Sequence, residues 1–377
     1  MRLNAIQLLT NSAITTSTLL IPIVAQQLGA SGTQIGVIVA AYNCALFIST
    51  YIFSRASDSY SPKIVLCAGF LSATVTFFLQ IFAKDPLSLG IVRVLVGFSV
   101  GIFPAILLLY VYNLKRSVGK FSSLMALGWA LGYLSVLIIA EYPQLSIAGS
   151  LFGYTGTVYM ELFALSSLLF AVAFLITLKL PDVKIIAKKK VDYFSADILK
   201  KNRSIYFGFF LRQVGANNVW VIFQLYLLSL GANLADVALI YMLNPVLQFF
   251  IMRRLDRYSS SRLIHTGDLL SAAAFAALIP LTIYYQAVVG MVLIAFSYAC
   301  LYIGSIQQLI ETNEEKGAAA GLLNSSIALA SIVGSFMGGI ILDHYGFRAV
   351  MGAGVLFSIL GYAAFHLKTA DTPQKSS

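Results

Sequence analysis

Charge is what this sequence has least of. Lysine, arginine, aspartate and glutamate make up 11% of its 377 residues, where a soluble domain carries about a quarter. A water-soluble globule is thereby excluded and a chain that lives in lipid is required. Cysteine is nearly absent: Cys44, Cys67 and Cys300 all lie in apolar stretches without metal-ligand spacing, so they read as small core residues rather than disulfides or ligands. The three histidines, His265, His344 and His366, are scattered near the ends of apolar segments. With no nucleophile, base and orienting group in one motif, and no phosphate-cradling loop, neither an enzyme nor a bound cofactor is expected. The net charge of +10 invites a nucleic-acid partner, but its distribution is explained by membrane topology and attraction to an anionic leaflet. The expected surroundings are a lipid bilayer and no nucleic acid.

What the chain has in abundance is uninterrupted apolar sequence. Between Arg2 and Arg55 no charged residue occurs, a stretch too long for one span of about 20 residues and right for two with a polar turn at 29–34. Further charge-free runs fall at 64–83, 94–114, 213–235, 269–310, 317–342 and 349–367. Such lengths point to helices, since barrel strands are about half as long and alternate in polarity. The expected fold is all-α and integral to the membrane, with twelve transmembrane helices near 6–27, 33–53, 64–83, 88–112, 122–140, 158–178, 205–229, 235–252, 264–284, 288–309, 317–342 and 348–367. One hydrophilic segment, 179–204, carries Lys188, Lys189, Lys190, Lys200 and Lys201. It reads as a basic cytoplasmic linker between a six-helix bundle at 1–178 and a second at 205–368, followed by a short cytoplasmic tail at 369–377. Placing both termini in the cytoplasm puts every basic residue on that side except Lys84, Arg93, Arg212 and Arg348, the orientation that the positive-inside rule demands. A multi-pass protein of the plasma or inner membrane is expected.

The two halves repeat. The turn Leu28-Gly29-Ala30-Ser31 recurs as Leu230-Gly231-Ala232-Asn233, and the loop Asp58-Ser59-Tyr60-Ser61-Pro62-Lys63 recurs as Asp256-Arg257-Tyr258-Ser259-Ser260-Ser261-Arg262. A repeat of this kind predicts two pseudo-symmetric bundles. The first loop, from Ser54 to Leu66, also resembles the helix 2–3 motif of the major facilitator superfamily: Asp58, Lys63 and Leu66 match, while Ser54 and Ser61 stand for its glycines and Ser59 for its first basic residue. Arg93 and Gly97 match the arginine and glycine of the family's fourth-helix motif. Helix 11 carries Gly321, Ala330, Gly334-Ser335 and Gly338-Gly339, then Asp343-His344-Tyr345-Gly346-Phe347-Arg348. Of the fifth-helix pattern associated with exporters, Gly119, Gly128 and Gly132 remain, Tyr133 replaces a proline and Val136-Leu137 the closing glycine pair.

The resemblance implies a secondary active transporter of a small organic solute that works by alternating access, coupled to protons, with efflux favoured over uptake, as a monomer. It implies that Asp58 caps helix 11 while Lys63 braces the cytoplasmic side, with Asp256, Arg257 and Arg262 as the pseudo-symmetric latch; a carboxylate at a helix N-terminus meets unpaired N–H groups. It also implies that helices 1, 4, 7 and 10 line the cavity. On helix 1, Asn11, Thr15, Thr18 and Pro22 share a face, on helix 7 Gln213, Asn217, Trp220 and Gln224 do so, and on helix 10 Tyr298, Tyr302 and Ser305. Arg93 and Arg212 are the only basic residues inside spans and are candidates for a clamp on an anionic substrate. No carboxylate stands at mid-depth on helices 1, 4, 7 or 10; Glu141, Glu161 and Asp268 fall near helix ends. The alternatives are an organic-anion transporter using that clamp, and a sensor or scaffold that keeps the fold without transport.

Overall fold

Local chemistry at the helix ends sets the architecture. The computed structural model describes residues 2–56, 61–113, 118–142, 158–181, 196–255, 257–313 and 316–366. Six helices come from the first half: α1 (Arg2–Gln27), α2 (Gly32–Ala56), α3 (Pro62–Leu79), α4 (Pro86–Gly101, continued by Pro104–Asn113), α5 (Val118–Glu141) and α6 (Val158–Leu178). Six more come from the second: α7 (Arg203–Trp220, continued by Phe223–Ser229), α8 (Leu234–Leu255), α9 (Ser260–Ala277), α10 (Ala287–Thr312), and a run Lys316–His366 that Gly346, at φ 76°, divides into α11 (316–345) and α12 (347–366). Among the described residues nine helices are long and apolar enough to cross a membrane by themselves. The remainder of the twelve follows from α7, which is interrupted, α9, whose first turns are polar, and the single run that forms α11 and α12. A six-residue helix, Ala196–Lys201, lies where the sequence reads as linker.

The repeated turns have one geometry. Gly29 and Gly231 adopt φ 87° and 90°, the left-handed conformation that glycine takes at helix C-termini. In each, the following alanine N–H reaches back to close the helix, Ala30 to the Ala25 carbonyl and Ala232 to the Leu227 carbonyl, both near 3 Å. The next helix then begins with a reciprocal cap. The Ser31 N–H donates to Gln34 Oε1 and the Gln34 N–H to Ser31 Oγ, while Asn233 and Asp236 exchange the same pair of bonds.

Packing repeats as well. Gly128 and Gly132 let α5 ride directly on α1, where a Cβ on Gly132 would lie 2.7 Å from the Ser12 carbonyl. Gly334 and Gly338 let α11 ride on α7 in the same way, with Val214, Asn217 and Asn218 standing where Leu8, Asn11 and Ser12 stand in the first half. Small residues four apart are how membrane helices approach closely without a hydrophobic drive between them. Large apolar side chains such as Leu71, Val75, Phe78, Leu168 and Leu175 point outward and exposed, which suits lipid and would be penalised in water.

The chain has two ends, as a membrane protein must. Arg2 Nη1 donates to the Lys179 carbonyl at 2.5 Å and Asn202 Nδ2 to Asn313 Oδ1 at 3.0 Å, tying the start of α1 to the end of α6 and the start of α7 to the end of α10 at what we term the terminal face. Gln27 Nε2 donates to Tyr159 Oη at 3.0 Å at the opposite, distal face. The apolar core is divided unequally between them. Toward the distal face one continuous cluster joins both bundles, from Leu19, Leu20 and Phe163 to Phe223, Leu227 and Phe275. Toward the terminal face the clusters separate, one around Phe70, Phe103 and Phe170 in the first bundle, others around Phe209, Leu309 and Leu263 in the second. Among the described residues the bundles are therefore welded at the distal face and independent at the terminal face.

Candidate functional site

Helix breaks and prolines meet at mid-depth. Pro22 lies inside α1 and Pro245 inside α8. A proline lacks the N–H that would bond the carbonyl four residues back, so the carbonyls of Thr18 and Tyr241 lose their usual helical donors. In α7 the helix stops at Trp220 and restarts at Phe223, with Ile222 at φ −130° between the pieces. Irregular backbone inside a membrane protein is tolerated where protein or a polar cavity satisfies it.

The α7 break and Pro245 border one cavity of about 350 Å³ between the bundles. Thr15 and Thr18 line it from α1, Trp129 and Tyr133 from α5, Trp220 and Gln224 from α7, and Tyr241, Asn244, Pro245 and Gln248 from α8. Both tryptophans of the chain are in this wall. The aromatic rings interlock: Tyr241 lies 5.6 Å from Tyr133 and 5.7 Å from Trp220, centroid to centroid. Tyr241 Oη donates to Gln224 Oε1 at 2.7 Å, and Gln248 Nε2 donates to Asn244 Oδ1. Among the described residues the wall holds no charged side chain. It offers flat aromatic faces and amide donors and acceptors.

The cavity is closed at the distal side by α2 and α11. A Cβ on Gly36 would stand 2.6 Å from the Ser335 carbonyl, and one on Gly339 only 2.2 Å from the Gly32 carbonyl. Asp343, at the end of α11, then caps α2 across the bundle boundary. Its Oδ1 accepts from the Gly32 N–H at 2.6 Å, and its Oδ2 from the Thr33 N–H at 2.8 Å and the Thr33 hydroxyl at 2.6 Å.

Of the residues expected in the cavity, Thr15, Thr18, Trp220 and Gln224 line it, and the others do not. Among the described residues helices α4 and α10 contribute nothing to the wall, and their glycines draw them elsewhere: Gly97 and Gly101 press α4 onto α2, and Gly304 presses α10 onto α9. Tyr298 and Tyr302 stack on each other at 5.6 Å. Asn11 and Asn217 donate to carbonyls of their own helices, those of Gln7 and Gln213, at 2.8 Å each.

The two arginines expected to form a clamp lie apart from this cavity. Arg93 and Arg212 are each 1% exposed, enclosed in separate bundles. Arg93 lies 4.0 Å over the Tyr42 ring and donates to Gln80 Oε1 at 3.3 Å, an oxygen that also accepts from Ser17 Oγ. Arg212 donates to Ser271 Oγ, Gln213 Oε1 and Ser297 Oγ at 2.7, 2.7 and 3.2 Å. Neither guanidinium reaches the cavity wall. Asp58 and Asp256 of the expected latch lie outside the described residues; Lys63 is half-buried at the start of α3, and Arg257 and Arg262 are exposed at the terminal face.

The residues missed were those of α5 and α8. Asn244 and Gln248, one turn apart in an otherwise apolar helix, were the available signal, as was the scarcity of tryptophan. Asp268 was also misplaced: it is 2% exposed within the second bundle rather than peripheral.

Comparisons with known proteins bear on the family and the fold. The family model of the Major Facilitator Superfamily matches residues 3–203 and 205–377. An uncharacterized MFS-type transporter of Methanocaldococcus jannaschii is 22% identical over 90% of this chain and 89% of its own length. Among solved structures, a mutant of the nucleoside transporter NupG superposes with a TM-score of 0.80 at 15% identity, covering 97% of this chain and 98% of that one. A bacterial homologue of the human lysosomal transporter Spinster, in an inward-facing conformation, gives a TM-score of 0.76 at 13% identity over 100% and 98% of the two chains.

Proposed function

We propose that this chain, which belongs to the major facilitator superfamily, is a secondary transporter that carries an uncharged organic solute through the cavity between its bundles by alternating access. The observation that carries the proposal is the wall itself: two tryptophans, two tyrosines, three amides and two threonines, without a charged side chain among the described residues. A charged solute entering such a cavity would lose its hydration and gain no counter-charge, a cost of several kcal/mol. A neutral, flat solute would stack on the rings and exchange hydrogen bonds with Gln224, Asn244 and Gln248.

The proposal places the terminal face in the cytoplasm, by the lysine and arginine bias of its loops, so the distal-sealed state is open inward. It takes the proton as driving ion and export as direction, both implied by the family resemblance, and one chain as the working unit, since all four cavity helices belong to it. The organic-anion reading is not favoured, because both guanidiniums are held inside the bundles.

The two tryptophans make the test direct. Uridine, benzoate and tetraphenylphosphonium, respectively neutral, anionic and cationic, are titrated against intrinsic tryptophan fluorescence of the purified protein; uridine is the first neutral probe because the structurally similar NupG is a nucleoside transporter. Saturable quenching by neutral heterocycles and none by the two ions is expected. Saturable quenching by benzoate alone would overturn the proposal.

A further inference from the structure

Inside the second bundle, away from the cavity, a carboxylic acid is buried with one oxygen that finds no hydrogen-bond donor among the described residues. Asp268 on α9 is 2% exposed, and its Oδ1 meets no donor. An ionised carboxylate in that position would carry an unrelieved desolvation cost. Arg212, 1% exposed, is held at 2.7 Å by Ser271 Oγ, three residues along α9 from Asp268 and on the same helix face. Its guanidinium spends three of its five N–H groups on neutral oxygens, Ser271 Oγ, Gln213 Oε1 and Ser297 Oγ. Ser297 Oγ in turn donates to the carbonyl of Gly267, the residue before Asp268, at 2.9 Å.

The geometry points to Asp268 as a proton-binding site whose occupancy decides where Arg212 directs its hydrogen bonds; the proposal rests on the transporter reading for its purpose. With the proton on, Asp268 is neutral and Arg212 is held by the serines and Gln213, as observed. When the proton leaves, a carboxylate and a guanidinium face each other in a medium of low dielectric, where a charge-assisted hydrogen bond is much stronger than a neutral one. Arg212 then turns its two free N–H groups to Asp268 and lets go of Gln213. Arg212 and Gln213 sit on α7, the helix that breaks at Trp220 and carries Gln224 into the cavity. A proton on α9 is in this way linked to the helix that holds the solute.

Titratable groups on the elements packed about α9 include Arg262 and His265 on α9 itself, Tyr298, Cys300, Tyr302 and Glu311 on α10, and Arg348 and Tyr362 on α12. His265 is turned to the rings of Tyr362 and Phe365, 5.9 and 5.6 Å away.

The test reads the proton directly. Infrared difference spectra of the full chain in liposomes, recorded as the pH is stepped from acid to alkaline, report the C=O stretch of a protonated carboxylic acid. A band that titrates in the wild type, disappears in Asp268→Asn and returns, shifted, in Asp268→Glu is expected. A band unchanged in Asp268→Asn, or no titrating band in the wild type, overturns the proposal. In the same liposomes Asp268→Asn should lose uridine accumulation driven by a pH gradient while keeping uridine counterflow; accumulation that survives the substitution also overturns it. A wild type that exchanges no solute refutes the transporter reading instead, and the infrared arm then decides the proton site without it.

Discussion

At the scale of the residue, the division between cavity and bundle interior separates two kinds of polar side chain with opposite expected effects. Trp220 presents its ring to the cavity and packs on Tyr241 at 5.7 Å. Its replacement in Trp220→Ala removes an aromatic contact worth about 1.5 kcal/mol, a rise of roughly tenfold in the Kd of a neutral solute, with little change in thermal stability. Binding followed through the remaining Trp129 checks it. Arg93 belongs to the other kind. It fills the first bundle between Tyr42 and Gln80, so Arg93→Ala leaves a void, takes one of two donors from Gln80 Oε1 and costs about 2–5 kcal/mol of stability. A thermal melt in detergent should fall accordingly, while solute affinity in the surviving folded protein stays within about twofold.

At the scale of the element, the distal seal is a contact between two helices that only glycine permits. In Gly36→Val the new side chain would meet the Ser335 carbonyl, already 2.6 Å from a Cβ, and a backbone carbonyl yields only if α2 and α11 part. The variant is expected to favour the distal-open state. In a background with Cys44, Cys67 and Cys300 replaced, a Thr18→Cys probe should become reactive to a membrane-impermeant maleimide added at the distal side. Asp343→Ala acts on the same seal more gently: losing an N-cap costs about 1 kcal/mol, which shifts the population of the sealed state about fivefold and should appear as a proportionate gain in labelling rate.

These elements also show what the sequence could and could not disclose. The twelve spans, and the turns at Gly29 and Gly231, were legible because length, missing charge and a left-handed glycine are local signals. Thr15, Thr18, Trp220 and Gln224 were legible because polar spacing on a helix marks a face. Which face meets the cavity is decided by packing between distant segments. Gly97 and Gly101 turn α4 toward α2, and α5 and α8 supply the wall in place of α4 and α10. The burial of Arg93, Arg212 and Asp268 is likewise a property of neighbours contributed by other helices, and an intramembrane arginine reads the same in sequence whether it faces a substrate or a serine.

At the scale of the whole molecule, one apolar core joins the bundles at the distal face while separate cores hold them at the terminal face. That asymmetry is what a rocking mechanism needs: a seal made of close helix contacts and one carboxylate cap, set beside a cavity whose wall draws on both bundles. The helix contacts and the cap at the seal are individually worth about 1 kcal/mol, so a ligand that binds the two states unequally can tip the balance between them.

The most direct measurement of the central claim is counterflow in proteoliposomes. Vesicles are loaded with unlabelled uridine or benzoate and the uptake of the matching radiolabelled solute is followed for wild type, Trp220→Ala and Arg93→Ala. Saturable exchange of the neutral solute, weakened by about tenfold in apparent affinity in Trp220→Ala and retained in Arg93→Ala, is the expected result. Exchange of benzoate alone, abolished in Arg93→Ala and indifferent to Trp220→Ala, would show that the uncharged cavity is not the transport site.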